Sequence, residues 1–314
     1  MPTHRRSAHT AEASQVRPSL NSQADGLLVA VRETDRVHGV LHVAELLARR
    51  ERINAHLVGV AERQKPLHPA LAKDERDVIQ ENERHRLRVR MKRRLHQTIG
   101  RTVYWSTDAA LGSLATVLAG EARRRTPRLI LLVPKTTGAS RRRDARAVVK
   151  TANAVAAPVL IVPPNQDLLP TRVLVATDFS QSSKRAALAA MSVMGPRGRL
   201  TLVHIEPDAG SEGRPSQRNA TAQRIQRLFE EWRHELEEEA KGFARTFKPH
   251  STVKETLLLR GEPAAVILDH AARRKVDLIV VGTRPLSKSG SMPRGSVTMA
   301  VLMGADCAVL VAHS

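Results

Sequence analysis

Residues 173 to 205, "VLVATDFSQSSKRAALAAMSVMGPRGRLTLVHI", decide the fold. The apolar run "VLVA" passes into a Ser-rich helix start and an Ala-rich helix. A Gly-Pro-Arg-Gly turn then leads to a second apolar run, "LTLVHI". Two strand-length runs joined by a helix and a turn make a βαβ unit, in which the crossover lays the strands parallel. Downstream, "GEPAAVILDHAARRKVDLIVVG" places Pro263 near a helix start, offers Ala265, Ile267, Leu268 and Ala271 for one helical face, and ends in a third strand at Gly282. After a loop, Ser296 can cap the helix "VTMAVLMG", and "CAVLVA" supplies the closing strand. Strands alternating with helices at these lengths imply an α/β protein with a parallel, doubly wound sheet covered on both faces.

The first half repeats this pattern more weakly. "LLVAVRETDRVHGVLHVAELLARRERINAHLVGV", residues 27 to 60, parallels the βαβ unit, and residues 128 to 163 parallel the closing strand-loop-helix-strand. The spacing agrees, with 29 residues from Leu129 to Pro158 and 30 from Leu278 to Ala308. An internal duplication follows. The link "PPNQDLLPT" at 163 to 171 has the composition of a boundary. The expected organisation is a disordered basic tail over 1–23, a degenerate domain over 24–164 and a second domain over 171–314.

A chain of 314 residues suits two domains of about 150 residues each. With 41% apolar but only 2% aromatic residues, the cores must be built from Val, Leu, Ile and Ala. The 51 Lys+Arg against 31 Asp+Glu give a formal +20, which reads either as Arg-favouring codon usage or as contact with a polyanion. Cys307 stands alone in an apolar run and reads as a core residue, so a disulfide framework is excluded. No CxxC, zinc-like spacing or run of 18 apolar residues occurs, and the N-terminal stretch lacks an apolar signal segment. The expectation is a cytoplasmic protein with no metal and no membrane span.

Two charged segments stand outside the repeated core. Residues 73 to 98 run from "KDERDVIQENE" to "RHRLRVRMKRR", a charge order that opposes the helix dipole, with Leu87, Met91, Leu95 and Ile99 as a thin apolar stripe. Residues 216 to 245 form its counterpart, with Ile225, Leu228, Phe229, Trp232 and Leu236 on the face to be buried. The seven cations in the eleven residues 84–94 could follow a phosphate backbone non-specifically. No base-reading motif accompanies them.

The motifs "VLVATDFS", "LTLVHI", "GEPAAVIL", "DLIVVGT" and "GSV…AVLV", in this order, resemble the universal stress protein family over roughly 171–313, and the repeat looks like its tandem-domain form. The resemblance implies an open five-stranded parallel sheet of the Rossmann-like, adenine nucleotide alpha hydrolase-like kind, with domains pairing through their last strands. Here "PVLIV" and "AVLVA" would meet as a pseudo-dimer, and further homodimerisation is open. One branch of the family binds ATP through G-x2-G-x9-G-[ST]. Carried over, the pattern falls on Gly282, Gly295 and Ser296, while Pro285 replaces the middle glycine. The resemblance further implies that Asp178 holds the adenosine end, with backbone near Ala176 and Ile205 lining its pocket. With Thr177, Thr283, Lys288, Arg294 and Val297 these residues make the candidate site for ATP, with or without Mg²⁺.

The physics of open sheets points to the same place, because ligands bind beyond the carboxyl ends of strands where chain order reverses. Gly295 and Ser296 would offer a helix N-terminus to phosphate, and Lys288 and Arg294 add charge. Pro285 fixes φ and removes an N–H where a glycine could have let phosphate approach. Each feature also has a structural reading. Asp178 and Gly295-Ser296 can serve as a cap and a turn, and His204 as a packed, hydrogen-bonded histidine. In the first half Arg32 falls where Asp178 would be, and Arg141, Arg142 and Arg143 replace the terminal Gly-Ser. That cluster reads as solvated surface or as a phosphate contact.

No GxSxG elbow, HExxH or P-loop is present, so catalysis beyond slow incidental ATP hydrolysis is not expected. Three functions stand open: an adenine-nucleotide-binding stress-response protein, a nucleotide-independent interaction protein whose basic surface docks an acidic partner or nucleic acid, and a nucleotide-dependent transferase or hydrolase, which would require product formation lost in Gly295→Val.

Overall fold

The computed structural model describes residues 26–62, 72–101, 104–135, 138–155, 157–206, 215–243, 253–283 and 297–313. The proposed tail over 1–23 lies outside these residues, as does most of the glycine-containing loop, from 284 to 296. The first half runs β1 (Leu27–Arg32), α1 (His38–Glu51), β2 (Ala55–Ala61), α2 (Lys73–Ile99), β3 (Trp105–Leu111), α3 (Leu114–Arg125), β4 (Leu129–Leu132), α4 (Gly138–Ala154) and β5 (Val159–Ile161). The second half runs β6 (Arg172–Ala176), α5 (Gln181–Val193), β7 (Arg199–Glu206), α6 (Pro215–Phe243), β8 (Val253–Arg260), α7 (Pro263–Arg273), β9 (Leu278–Thr283), α8 (Val297–Gly304) and β10 (Ala308–His313).

All ten strands share one sheet, in the order β3-β2-β1-β4-β5-β10-β9-β6-β7-β8. Read from each edge inward, the two halves have the same strand order. Every neighbouring pair is parallel except β5 and β10, which join the halves antiparallel in the register Val159↔Val311, Leu160↔Leu310 and Ile161↔Val309. The two apolar tracts expected to meet therefore do so within one chain.

Successive strand residues feed opposite cores. Val173 and Val175 pack with α1, α2, α5 and α6 on one face, while Leu174 packs with α3, α4, α7 and α8 on the other. Burial on both faces explains why the central strands read as continuous apolar runs. The long charged helices lie on the sheet as their stripes dictate: Leu87, Met91 and Leu95 of α2 are buried, as are Ile225, Phe229, Trp232 and Leu236 of α6. On α7 the buried face is Ala264, Ile267 and Ala271, and the expected Ala265 is exposed. Ile267 and Ala271 are buried as expected, Leu268 packs against the core, and the Glu262 carboxylate caps the helix by accepting from Ala265 N at 2.8 Å.

Arginines of the first half close helix ends of the second. Arg50 Nη1 donates to Met194 O at 2.6 Å and Nη2 donates to Ser192 O, at the end of α5. Arg141 Nε and Nη2 donate to Leu302 O (3.1 Å) and Ala305 O (2.7 Å), at the end of α8. Both place a cation at the negative end of a helix dipole. Arg141 therefore has a structural use, while Arg142 and Arg143 remain exposed. Cys307 is partly buried, and burial pushes its thiol up to about 11, so it is no ready thiolate.

Candidate functional site

The second half changes winding direction between β6 and β9, because α5 and α8, which follow them, cover opposite faces of the sheet. The carboxyl ends of these two strands are therefore the place where an open α/β sheet ordinarily takes a ligand. Val175 pairs with Val280, so Thr177 and Gly282, two residues further along, stand level there. Ala176 ends β6, Ile205 lies near the end of the adjacent β7, and both are partly buried against the α7–α8 face. Val297 opens α8. These residues are brought together. Lys288, Arg294, Gly295 and Ser296, together with Pro285, lie outside the described residues.

The turn after β6 is tightly specified. Thr177 N donates to Val203 O at 2.9 Å, and Thr177 Oγ1 accepts from Phe179 N at 2.9 Å. Phe179 has φ 60°, a left-handed conformation rare outside glycine, asparagine and aspartate. Its ring compensates by packing on His204 at 5.0 Å and edge-on against Phe229 and Trp232 of α6 at 5.1 and 5.7 Å. Asp178 is exposed, and its Oδ1 accepts from Ser180 N (3.1 Å) and Ser183 Oγ (3.0 Å). The helix cap itself is Ser180, whose Oγ accepts from Ser183 N at 3.3 Å. Asp178 thus braces the turn one step upstream of the cap and presents its carboxylate at the carboxyl end of β6.

His204 has its structural role here: Nδ1 donates to Thr177 O at 2.8 Å, holding the turn from behind. Gly282 is closely approached by the start of α5, since a Cβ there would lie 3.0 Å from Ser182 Oγ and 3.2 Å from Ser183 N. Thr298 Oγ1 donates to Gly282 O at 2.9 Å, tying α8 to the strand end. Thr283 is buried, and its hydroxyl donates to Asn153 Oδ1 of α4 at 2.8 Å, so that side chain joins the halves.

The corresponding place in the first half is filled. Leu27 pairs with Leu129 as Val173 pairs with Leu278, so Arg32 occupies the position of Asp178. It is 7% exposed and bidentate to Asp144 of α4, with Nη2 to Oδ2 at 2.6 Å and Nη1 to Oδ1 at 3.0 Å. Asp35 Oδ2 accepts from Arg32 N at 2.8 Å, and its Oδ1 accepts from Arg32 Nε at 3.3 Å. Burial alone would lower the Arg32 pKa, but its hydrogen bonds to Asp144 and the charges of Asp35 and Asp144 outweigh it and hold the pKa above its ordinary value. Sequence reading found the missing acid but not this plug. Its signal was present in Asp35, three residues on, and in Asp144 behind the arginine triplet.

Among the described residues no three His, Cys, Asp or Glu converge as for a metal, and no helix is long and apolar enough to cross a membrane.

A doubly wound sheet whose chain order reverses between β6 and β9, with an ion-paired arginine at the equivalent strand end of the other half, defines an α/β protein of Rossmann-like build. The model of the universal stress protein family matches residues 170–313. Over 141 residues the chain is 38% identical to a Thermus aquaticus protein described as a universal stress protein in the QAH/OAS sulfhydrylase 3′ region, a match covering 44% of this chain and 96% of that one. It is 31% identical over 145 residues to universal stress protein YxiE of Bacillus subtilis, covering 45% and 97%. A crystal structure of a universal stress protein from Archaeoglobus fulgidus superposes with a TM-score of 0.59 over 93% of this chain and 97% of its own, at 15% identity, a likeness of fold alone. The chain belongs to the universal stress protein family.

Proposed function

We propose that this is a cytoplasmic stress-response protein of tandem form, in which domain 171–314 binds an adenine nucleotide, ATP with or without Mg²⁺, and domain 24–164 is a non-binding partner. The observation that carries the reading is the contrast between the two equivalent strand ends. Asp178 is solvent-exposed at the carboxyl end of β6, whereas Arg32 is buried between Asp35 and Asp144. In this reading Asp178 meets the adenosine end, Ala176 and Ile205 line its pocket, and Lys288, Arg294, Gly295 and Ser296 meet phosphate. The function is binding, with hydrolysis slow and incidental.

Calorimetric titration with ATP and Mg²⁺ tests it. One saturable site per chain, lost in Asp178→Ala, is the expected result. Absence of binding in the wild type with recovery in Pro285→Gly would show that the proline has closed the loop to phosphate. Absence in both would remove the nucleotide reading.

A second reading has one observation behind it: Arg86, Arg88, Lys92 and Arg93 of α2 are all exposed on one charged helix. They suit non-specific contact with nucleic acid, which would weaken steeply with added salt while ATP binding changed little.

A further inference from the structure

A cavity of about 740 Å³ lies between α1 and α5, beside the amino ends of β4 and β5, and shares no lining residue with the candidate nucleotide site. Leu47, Ile53 and Leu188 contribute to its largely apolar walls, and Arg123, Arg128 and Arg185 also line it. All three arginines are exposed, and none of their guanidinium groups is ion-paired with another described residue. The acids that could neutralise them are engaged elsewhere. Glu51 pairs with Arg50 at 2.8 Å, and Glu121 pairs with Arg124 and Arg125 at 2.5 and 2.9 Å. The lining thus combines apolar walls with uncompensated positive charge, in a volume within the usual range of about 300–1,000 Å³ for small-molecule sites.

We propose that this cavity binds a long-chain carboxylate, with the alkyl chain between α1 and α5 and the carboxylate among Arg123, Arg128 and Arg185. A short polyanion would leave the apolar walls wet, and a neutral lipid would leave three arginines beside it unpaired. Guanidinium groups recognise a carboxylate through parallel N–H donors, which makes this head group the better complement. The ligand would bridge the halves, because α1 belongs to the first and α5 to the second. The proposal is independent of the nucleotide site.

The test is calorimetric titration of the full chain with octanoate, decanoate and dodecanoate, each below its micelle concentration, and with 1-decanol as the neutral comparator. One site per chain is expected, with affinity rising about fourfold per added methylene and decanoate binding at least tenfold more tightly than 1-decanol. Ala189→Phe, which pushes a ring into the cavity from the α5 wall, should weaken binding at least tenfold. Arg123→Glu/Arg185→Glu changes only exposed side chains and should weaken decanoate at least tenfold while leaving 1-decanol unchanged. Lack of saturation overturns the proposal. Affinity independent of chain length, which would mean carboxylates merely pairing with a +20 surface, also overturns it, as does decanoate binding undiminished in the double-glutamate variant.

Discussion

Arg32 and His56 show two ways in which a buried cationic side chain is accommodated. Arg32 stays charged because Asp35 and Asp144 face it, so Arg32→Ala would leave two carboxylates together in a buried place. A loss on the order of 3–5 kcal/mol is expected from urea unfolding, and Arg32→Met/Asp144→Leu should recover much of it. His56 stays neutral. It is 7% exposed, its Nδ1 lies 2.8 Å from Ser106 Oγ, and burial, reinforced by Arg125, lowers its pKa to about 4 against the nearby acids Glu121 and Asp108. Because the folded pKa lies below the unfolded value, the unfolded chain takes up a proton between about pH 6.5 and 4 that the folded chain refuses. Stability should therefore decline as pH falls through that window, by on the order of 3 kcal/mol at the limit. Denaturant midpoints measured from pH 7 to 4 check this, and His56→Gln should flatten the decline. The sequence held only a partial signal of these environments: Asp35 stands three residues from Arg32, but Asp144 is 112 residues away and the Ser106 partner of His56 is 50 away.

At the scale of elements, legibility followed burial. Strands β1, β6 and β9 are covered on both faces and read directly as apolar runs, and the alanines of α5 announced a helix lying close on the sheet. The edge strands β3, "WSTDAAL", and β8, "VKETLLLR", were not singled out, because an edge strand keeps polar residues that blur its period. The turn from Thr177 to Ser183 was legible in composition but not in its division of labour, which gives the cap to Ser180 and the bracing to Asp178. The helix-end arginines were not foreseen either. Arg141→Ala should expose the last carbonyls of α8 and cost about 1–2 kcal/mol. Hydrogen exchange followed by mass spectrometry should show faster exchange in residues 297–304 with β1 unchanged.

For the whole molecule the governing feature is the continuous sheet. Residues 171–314 on their own would expose the edge of β10 at Val309, Leu310 and Val311, the residues that β5 covers in the intact chain. That fragment should self-associate through β10, and sedimentation should show a monomer–dimer equilibrium.

The antiparallel seam has a consequence for how such a protein responds. A two-subunit receptor comes apart on dilution, so its occupancy depends on its own abundance as well as on its ligand. Here the two partners are tethered by the 163–171 link, at an effective local concentration that expression level cannot alter. The two halves then stay paired at any expression level, and a surface that draws on both, such as the cavity between α1 and α5, is assembled at every concentration of the protein.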